Sequence, residues 1–215
     1  MSAAELTAAD AKRLRECVSS GGVAVFPTDT VYGLCCDPED AVAVSRLYEL
    51  KGYPPAPSPE RPAAVMFFAL PAALETLAEL HDAERAALEA LLPGPVTLLL
   101  PNRAKRFVPA CGPDPATIGL RVPRLPDSLA ALGSVAVPVM QSSANLRGES
   151  DARTLEEVPK AIREDADLVL DGGELAGKPS TVIDLRGYAS VGRWQILREG
   201  ALSSDTIAAM LARAG

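Results

Sequence analysis

The chain switches repeatedly between a helical and an extended hydrophobic period. Ala11, Leu14 and Val18 recur at helical spacing behind Thr7, and Asp10 stands three residues after Thr7 as in a capping box. Gly21 and Gly22 stop that run. VAVFPT (23–28) then has the short apolar, β-branched character of a buried strand. Asp37 and Pro38 predict the start of a second helix, with proline at a position where its missing N–H costs nothing. Ala43, Val44, Leu47, Tyr48 and Leu50 give that helix one apolar face. Further strands are expected in AAVMFFAL (63–70), VTLLLP (96–101), ATIGLRVP (116–123), VAVPVMQ (135–141), ADLVLDG (166–172), STVIDLR (180–186) and RWQILREG (193–200). Helices are expected in PAALETLAEL (71–80) and DAERAALEALL (82–92), near 127–132 and over 154–163. A last helix should follow Ser203 or Ser204, with Ile207, Met210 and Leu211 inward.

Strands and helices in mixed order imply an α+β or mixed α/β fold. No internal repeat is visible, and no interdomain linker. KGYPPAPSPERP (51–62) holds five prolines and cannot be regular structure, so it reads as a long loop interrupting one domain that spans residues 1–215. A length of 215 residues with 48% hydrophobic content is enough for one large core.

Composition then narrows the chemistry. No apolar run approaches the roughly 20 residues that span a bilayer. The first residues, MSAAELTAADAKRLRE, lack the basic-then-apolar order of a signal peptide, so a cytoplasmic protein is expected. A net charge of −7 and 4% aromatic content disfavour a broad nucleic-acid grip or a base-stacking platform, while a local basic cleft for a small anionic ligand stays open. Cys17, Cys35, Cys36 and Cys111 form no C-x-x-C pair and read as buried free thiols. His81 is the one histidine, set before a helix start, where it reads as a surface or capping residue. That leaves little for a His-dependent triad and excludes a His-rich metal site. There is neither a phosphate loop nor a dinucleotide glycine fingerprint, so side chains would have to hold any nucleotide.

What remains is a set of polar residues at strand ends. Thr28 and Thr30 follow the first strand, and read equally as turn chemistry or as ligand donors. Arg121 interrupts an apolar strand, and a guanidinium there needs a partner, either an internal acid or the anion of a ligand. QSSAN (141–145) offers hydroxyls and amides after another strand, though a polar turn would use the same residues. Lys51, at the end of a helix, could simply complement its dipole. PGPVTLLL reads as a helix stop and a strand. Asp29, Asp37 and Asp184 read as turn or capping residues.

In this order, PTDTVYGL, LKG, PGPVTLLL, TIGLRVP, SSAN-LRG, PSTVIDL and ILREG resemble the YrdC family of threonylcarbamoyl-AMP synthases, over about residues 22–200. The resemblance implies an α+β fold: a twisted, open, mixed sheet flanked by helices, with a deep, locally positive ligand cavity. It implies condensation of L-threonine, bicarbonate and ATP to threonylcarbamoyl-AMP and pyrophosphate, the adenylate then passing to a separate tRNA threonylcarbamoyl-transferase complex. By residue, it implies a catalytic role for Lys51 at the phosphates or the bicarbonate, and a threonine site of Thr30, Arg121, Ser143 and Ser180. ATP would meet Lys51, Arg61, Thr117, Ser143, Asn145 and Arg198. Magnesium would accompany ATP, held mainly by the phosphates, with no protein metal site.

The chain also departs from the family pattern. Lys51-Gly52-Tyr53 stands where Lys-x-Arg is usual, and the loop behind it is longer, so Arg61 is expected to supply the missing charge. Met66 stands where some members carry a histidine near the substrate, and LRGES follows SSAN in place of a hydroxyl-rich stretch. Two alternatives follow: a YciO-like paralogue with weak or different carbamoylation activity, which Tyr53 favours, and a non-enzymatic RNA-binding module, which the charge disfavours. Ending soon after ILREG, the chain reads as the short family form.

Overall fold

The computed structural model describes residues 5–54 and 63–213. Nine strands form one mixed sheet: β1 (Ala24–Phe26), β2 (Gly33–Cys36), β3 (Ala64–Met66), β4 (Val96–Pro101), β5 (Thr117–Arg121), β6 (Val139–Ser143), β7 (Leu168–Val169), β8 (Thr181–Asp184) and β9 (Gln195–Arg198). Their spatial order is β7-β1-β2-β6-β3-β5-β4-β8-β9. β1–β7, β3–β5 and β4–β8 run parallel, and the other neighbours antiparallel. The sheet is twisted and open, with helices flanking it, and the expected α+β class holds.

Among the described residues seven α-helices cover it: α1 (Ala8–Ser19), α2 (Ala41–Leu50), α3 (Leu70–Thr76), α4 (Asp82–Leu91), α5 (Lys160–Asp165), α6 (Tyr188–Val191) and α7 (Ser204–Leu211). The Thr7–Asp10 capping box forms at the head of α1, and Ala11, Leu14 and Val18 are buried. α1 packs on the 3-10 segment Asp127–Ser134, which stands where a short helix was expected. Ser203 caps α7, whose Ile207 and Leu211 are buried while Met210 is half-buried. His81 sits at the cap of α4, exposed, with its backbone N–H donating to Glu84 at 3.0 Å.

Several elements differ from the sequence reading, the short α6 among them, which was not anticipated. β2 was not anticipated: GLCC carries no alternation, because all four residues are buried between β1 and β6. Its Gly33 is required by close approach, since a Cβ there would stand 2.9 Å from Nε2 of Gln141 and 3.2 Å from the Phe26 ring. α2 begins three residues later than Asp37-Pro38 suggests, because Asp40 supplies the cap, its Oδ1 accepting from the N–H groups of Val42 and Ala43 at 2.8 and 3.2 Å. Asp37 instead accepts from the Glu39 N–H in the preceding turn. The expected 154–163 helix is confined to α5, which starts after Pro159.

The buried residues join in one hydrophobic core. Cys35, Cys36 and Cys111 are buried, Cys17 is half-buried, and all four are free thiols. Among the described residues no helix is long and apolar enough to cross a membrane. Of the proline-rich stretch, residues 55–62, Arg61 included, lie outside the described residues.

Candidate functional site

Strand alternation builds the site. In β4, Val96, Leu98 and Leu100 are fully buried in the core, and in β5 so are Ile118 and Leu120. The intervening residues Thr97, Leu99, Gly119 and Arg121 must face the other way. There they line a cavity of about 240 Å³ together with Gln141, Ser143 and Val182 from β6 and β8. Loop residues Thr30, Asp151 and Ser180, and Arg198 from the end of β9, complete its wall. A Cβ on Gly119 would press to 3.2 Å from the Ala63 carbonyl oxygen, so the floor is kept open by the absent side chain.

Arg121 is the deepest charge. One terminal nitrogen donates to Gln141 Oε1 at 3.0 Å; the other donates to Asp29 Oδ1 at 2.7 Å and to Thr30 Oγ1 at 3.2 Å. Its Nε is buried and has no hydrogen-bond partner. Asp29 also accepts from the Arg124 N–H at 3.0 Å through its second oxygen. Sequence reasoning took Asp29 for a turn residue; it is the internal partner of Arg121. Burial raises the Asp29 carboxyl above its ordinary range against the pull of Arg121. Burial pushes the guanidinium down, and the charge of Arg198 adds to this, while Asp29 opposes both. Two arginines therefore share one pocket, and one of them keeps a donor unspent: this pocket suits an anion.

Thr30 is positioned by its neighbour. The Thr28 hydroxyl donates to the Val31 carbonyl at 2.7 Å and accepts from the Thr30 N–H at 3.2 Å, so Thr28 builds the turn and Thr30 faces the cavity. Across the pocket, the hydroxyls of Thr97 and Ser180 lie 2.8 Å apart. Arg198 donates to the Ser180 carbonyl at 2.8 Å and to its hydroxyl at 3.3 Å.

Lys51 is buried just behind this wall. Its ammonium donates to the carbonyl of Ser143, to the Asn145 carbonyl at 3.2 Å and to Asn145 Oδ1 at 3.1 Å. Burial lowers it to about 8, opposed by the charge of Asp151. Arg147 donates its backbone N–H to the Lys51 carbonyl at 3.0 Å, and its guanidinium lies 5.3 Å from the centre of the Tyr53 ring. Position 53, where the family pattern has an arginine, thus holds an aromatic with an arginine from another segment stacked on it.

Of the residues singled out in the sequence, the cavity gathers Thr30, Arg121, Ser143, Ser180 and Arg198. Lys51 and Asn145 lie behind Ser143, bonded to each other. Thr117 stands further along the same strand face, donating to Asp114 at 2.7 Å and accepting from Arg186 at 3.4 Å. Met66 is fully buried and does not reach the cavity. Asp184 belongs to an Arg186 pair at 2.7 Å outside the pocket. Sequence reasoning passed over Thr97 and Asp151, and held Gln141 only as the first residue of QSSAN and Asp29 only as a turn residue. The first had a signal, a lone hydroxyl between the buried Val96 and Leu98. Among the described residues no group of three or more His, Cys, Asp or Glu side chains could hold a metal ion.

A model of the Sua5, YciO and YrdC family, described as "Telomere recombination", matches residues 16–200. The threonylcarbamoyl-AMP synthase of Xanthomonas axonopodis pv. citri is 32% identical over 200 residues, covering 88% of this chain and 97% of the relative. Sua5 of P. abyssi complexed with L-threonine superposes with a TM-score of 0.78 at 27% identity, covering 95% of this chain and 58% of that one. The crystal structure of E. coli YciO gives a TM-score of 0.75 at 27% identity, over 95% of this chain and 96% of that one. With its strand order built, its polar pocket on one sheet face and these matches over most of its length, the chain belongs to the Sua5/YciO/YrdC family.

Proposed function

We propose that the chain is an L-threonylcarbamoyl-AMP synthase. The observation that carries this reading is the buried guanidinium of Arg121, which lines a pocket walled by the hydroxyls of Thr30, Ser143 and Ser180 and keeps one nitrogen, Nε, unpaired. A carboxylate seated there would meet the charge of the guanidinium, and a small hydroxylated side chain would meet the hydroxyls. The relative named threonylcarbamoyl-AMP synthase and the Sua5 structure holding L-threonine support threonine as that ligand.

The reaction asks for position and charge more than for a protein nucleophile. The threonine amine adds to bicarbonate with loss of water, giving a carbamate. A carbamate oxygen attacks the α-phosphorus of ATP, the bond to the β-phosphate oxygen breaks, and pyrophosphate leaves. Arg198, at the outer wall, is the cation suited to the phosphates. Lys51 acts through the Ser143–Asn145 turn that it holds, contributing its field from behind, and Asn145 and Thr117 extend the nucleotide side. Arg61 remains part of this proposal as an ATP contact.

Magnesium would come with ATP. The pocket lining offers one carboxylate, Asp151, too few for a protein cage, so the phosphates would carry the ion. The product is an activated acyl donor for a separate tRNA-modifying transferase, in a cytoplasmic setting.

Pyrophosphate release from the purified protein, with ATP and bicarbonate, tests the reading. L-threonine should stimulate release and yield a new adenylate on chromatography. Release that ignores threonine, from protein that still binds ATP, would overturn it in favour of a YciO-like activity on another acceptor.

A further inference from the structure

The pocket holds an acid that neither the fold nor the ion pairs account for. Asp151 is half-buried on the cavity wall and, among the described residues, takes part in no hydrogen bond or ion pair. Among the described residues it is the one carboxylate in the lining, since Asp29 stands behind Arg121 with both oxygens engaged. Its position is built rather than accidental. The carbonyl of the adjacent Ala152 accepts from the Tyr32 N–H at 2.9 Å, and the Tyr32 carbonyl accepts from the Ala144 N–H at 2.9 Å. These bonds tie Asp151 to the segment that carries Thr30 and to the end of β6. Lys51 faces it electrostatically, yet spends its ammonium on Ser143 and Asn145, on the other side of that turn.

The cavity therefore carries two kinds of unmet demand. Arg121 brings to the lining a guanidinium with one nitrogen unpaired, and Asp151 brings to it a carboxylate with no donor. A ligand that satisfies both bears an anion and a cation close together, as a zwitterionic α-amino acid does.

We propose that Asp151 receives the α-ammonium group of the amino-acid substrate, while the guanidinium of Arg121 takes its carboxylate. Asp151 thereby makes the site selective for α-amino acids over hydroxy or keto acids of the same shape. This rests on the amino-acid-binding part of the proposed function. A free amino acid enters bound by both ends, and its amine is held at the wall formed by Ser143, next to the turn that Lys51 fixes.

Calorimetry on the full chain tests this with L-threonine, L-serine, L-alanine and (R)-3-hydroxybutyrate, the threonine skeleton without its amine. Asp151→Asn should weaken L-threonine binding about tenfold or more, the effect of losing a hydrogen bond between charged groups. It should leave (R)-3-hydroxybutyrate binding and the melting temperature unchanged, which also reports that the variant folds. Equal weakening of both ligands, or L-threonine affinity within twofold of wild type, would overturn the role of Asp151. If wild type ignores threonine but binds another of these amino acids in an Asp151-dependent way, the inference stands and the threonine reading falls. If wild type binds none of them, both fall.

Discussion

Two guanidinium–carboxylate pairs in this chain use the same chemistry to opposite ends. Arg103 and Glu84 form a two-pronged pair at 2.7 and 2.8 Å, and Glu84 also accepts from the His81 N–H. The carboxylate is fully covered while the arginine side chain keeps 36% of its surface exposed, so the cation stays solvated. Burial pulls Glu84 upward, but the hydrogen bonds from Arg103 and the His81 N–H, together with the charge of Arg103, hold it below its ordinary range. Arg121 and Asp29 are closed off on both sides, at 3% and 5% exposure. There burial wins, Asp29 is raised, and the guanidinium retains an unpaired Nε. A satisfied pair at the rim ties α4 to the chain beyond β4. An unsatisfied pair at the pocket floor waits for a ligand.

Breaking each pair should separate these roles. Arg121→Met should abolish L-threonine binding and cost about 3–5 kcal/mol of stability, because Asp29 is left buried without a counter-charge. Adding Asp29→Asn should return most of that stability in urea titrations and none of the binding. A double variant that recovers neither would contradict the assignment of Asp29 as the partner. Glu84→Gln should cost about 1.5–3 kcal/mol with threonine affinity unchanged, as for lost hydrogen bonds to a charged group. The pH dependence sharpens this. A carboxyl lowered in the folded state contributes stability above its unfolded value of 4.5, and loses it as pH falls through the folded value. The gap between wild type and Glu84→Gln should therefore narrow below pH 4.5.

Lys51 gives a third, intermediate case: a buried cation with its hydrogen bonds met by carbonyl and amide oxygens. Lowered from 10.5 to about 8, it penalises the folded state at neutral pH. Wild-type unfolding free energy should rise with pH between about 8 and 10.5 relative to Lys51→Met. A Lys51→Met curve parallel to wild type across that window would refute the lowered value. The smallest effect is expected from Thr97→Val, which removes the hydroxyl beside Ser180 but leaves Arg198 on it. About 0.5–1.5 kcal/mol of stability and a few-fold loss of threonine affinity should follow, read by thermal unfolding and calorimetry.

The particular residues explain what could be read in advance. β4 and β5 were visible as short apolar runs, and Arg121 stood out as a polar intrusion, while Thr97 was passed over. β2 was invisible because a strand buried on both faces has no alternation, and Gly33-Leu34-Cys35-Cys36 has little strand composition either. Arg121 was recognised as needing a partner, but the choice between acid and ligand was not decidable from spacing: Asp29 lies 92 residues away in the chain. Both answers proved to have a place, since Asp29 takes one terminal nitrogen and Nε is left over.

The sequence by itself determined the helices with their caps, most of the strands and the order of the polar strand-end motifs, because capping and periodicity act over a few residues. Strand-end polarity also marked Thr30, Arg121 and Ser143, while Ser180 and Arg198 were marked through the family resemblance alone. Only the tertiary structure decided which of these share a cavity, that Lys51 and Asn145 stand behind it, and that Asp151 faces into it. Those facts depend on strand order and on bonds such as Tyr32 to Ala152, which join residues 120 positions apart. Burial and charge compensation are properties of that assembled neighbourhood, and no local stretch of chain encodes them.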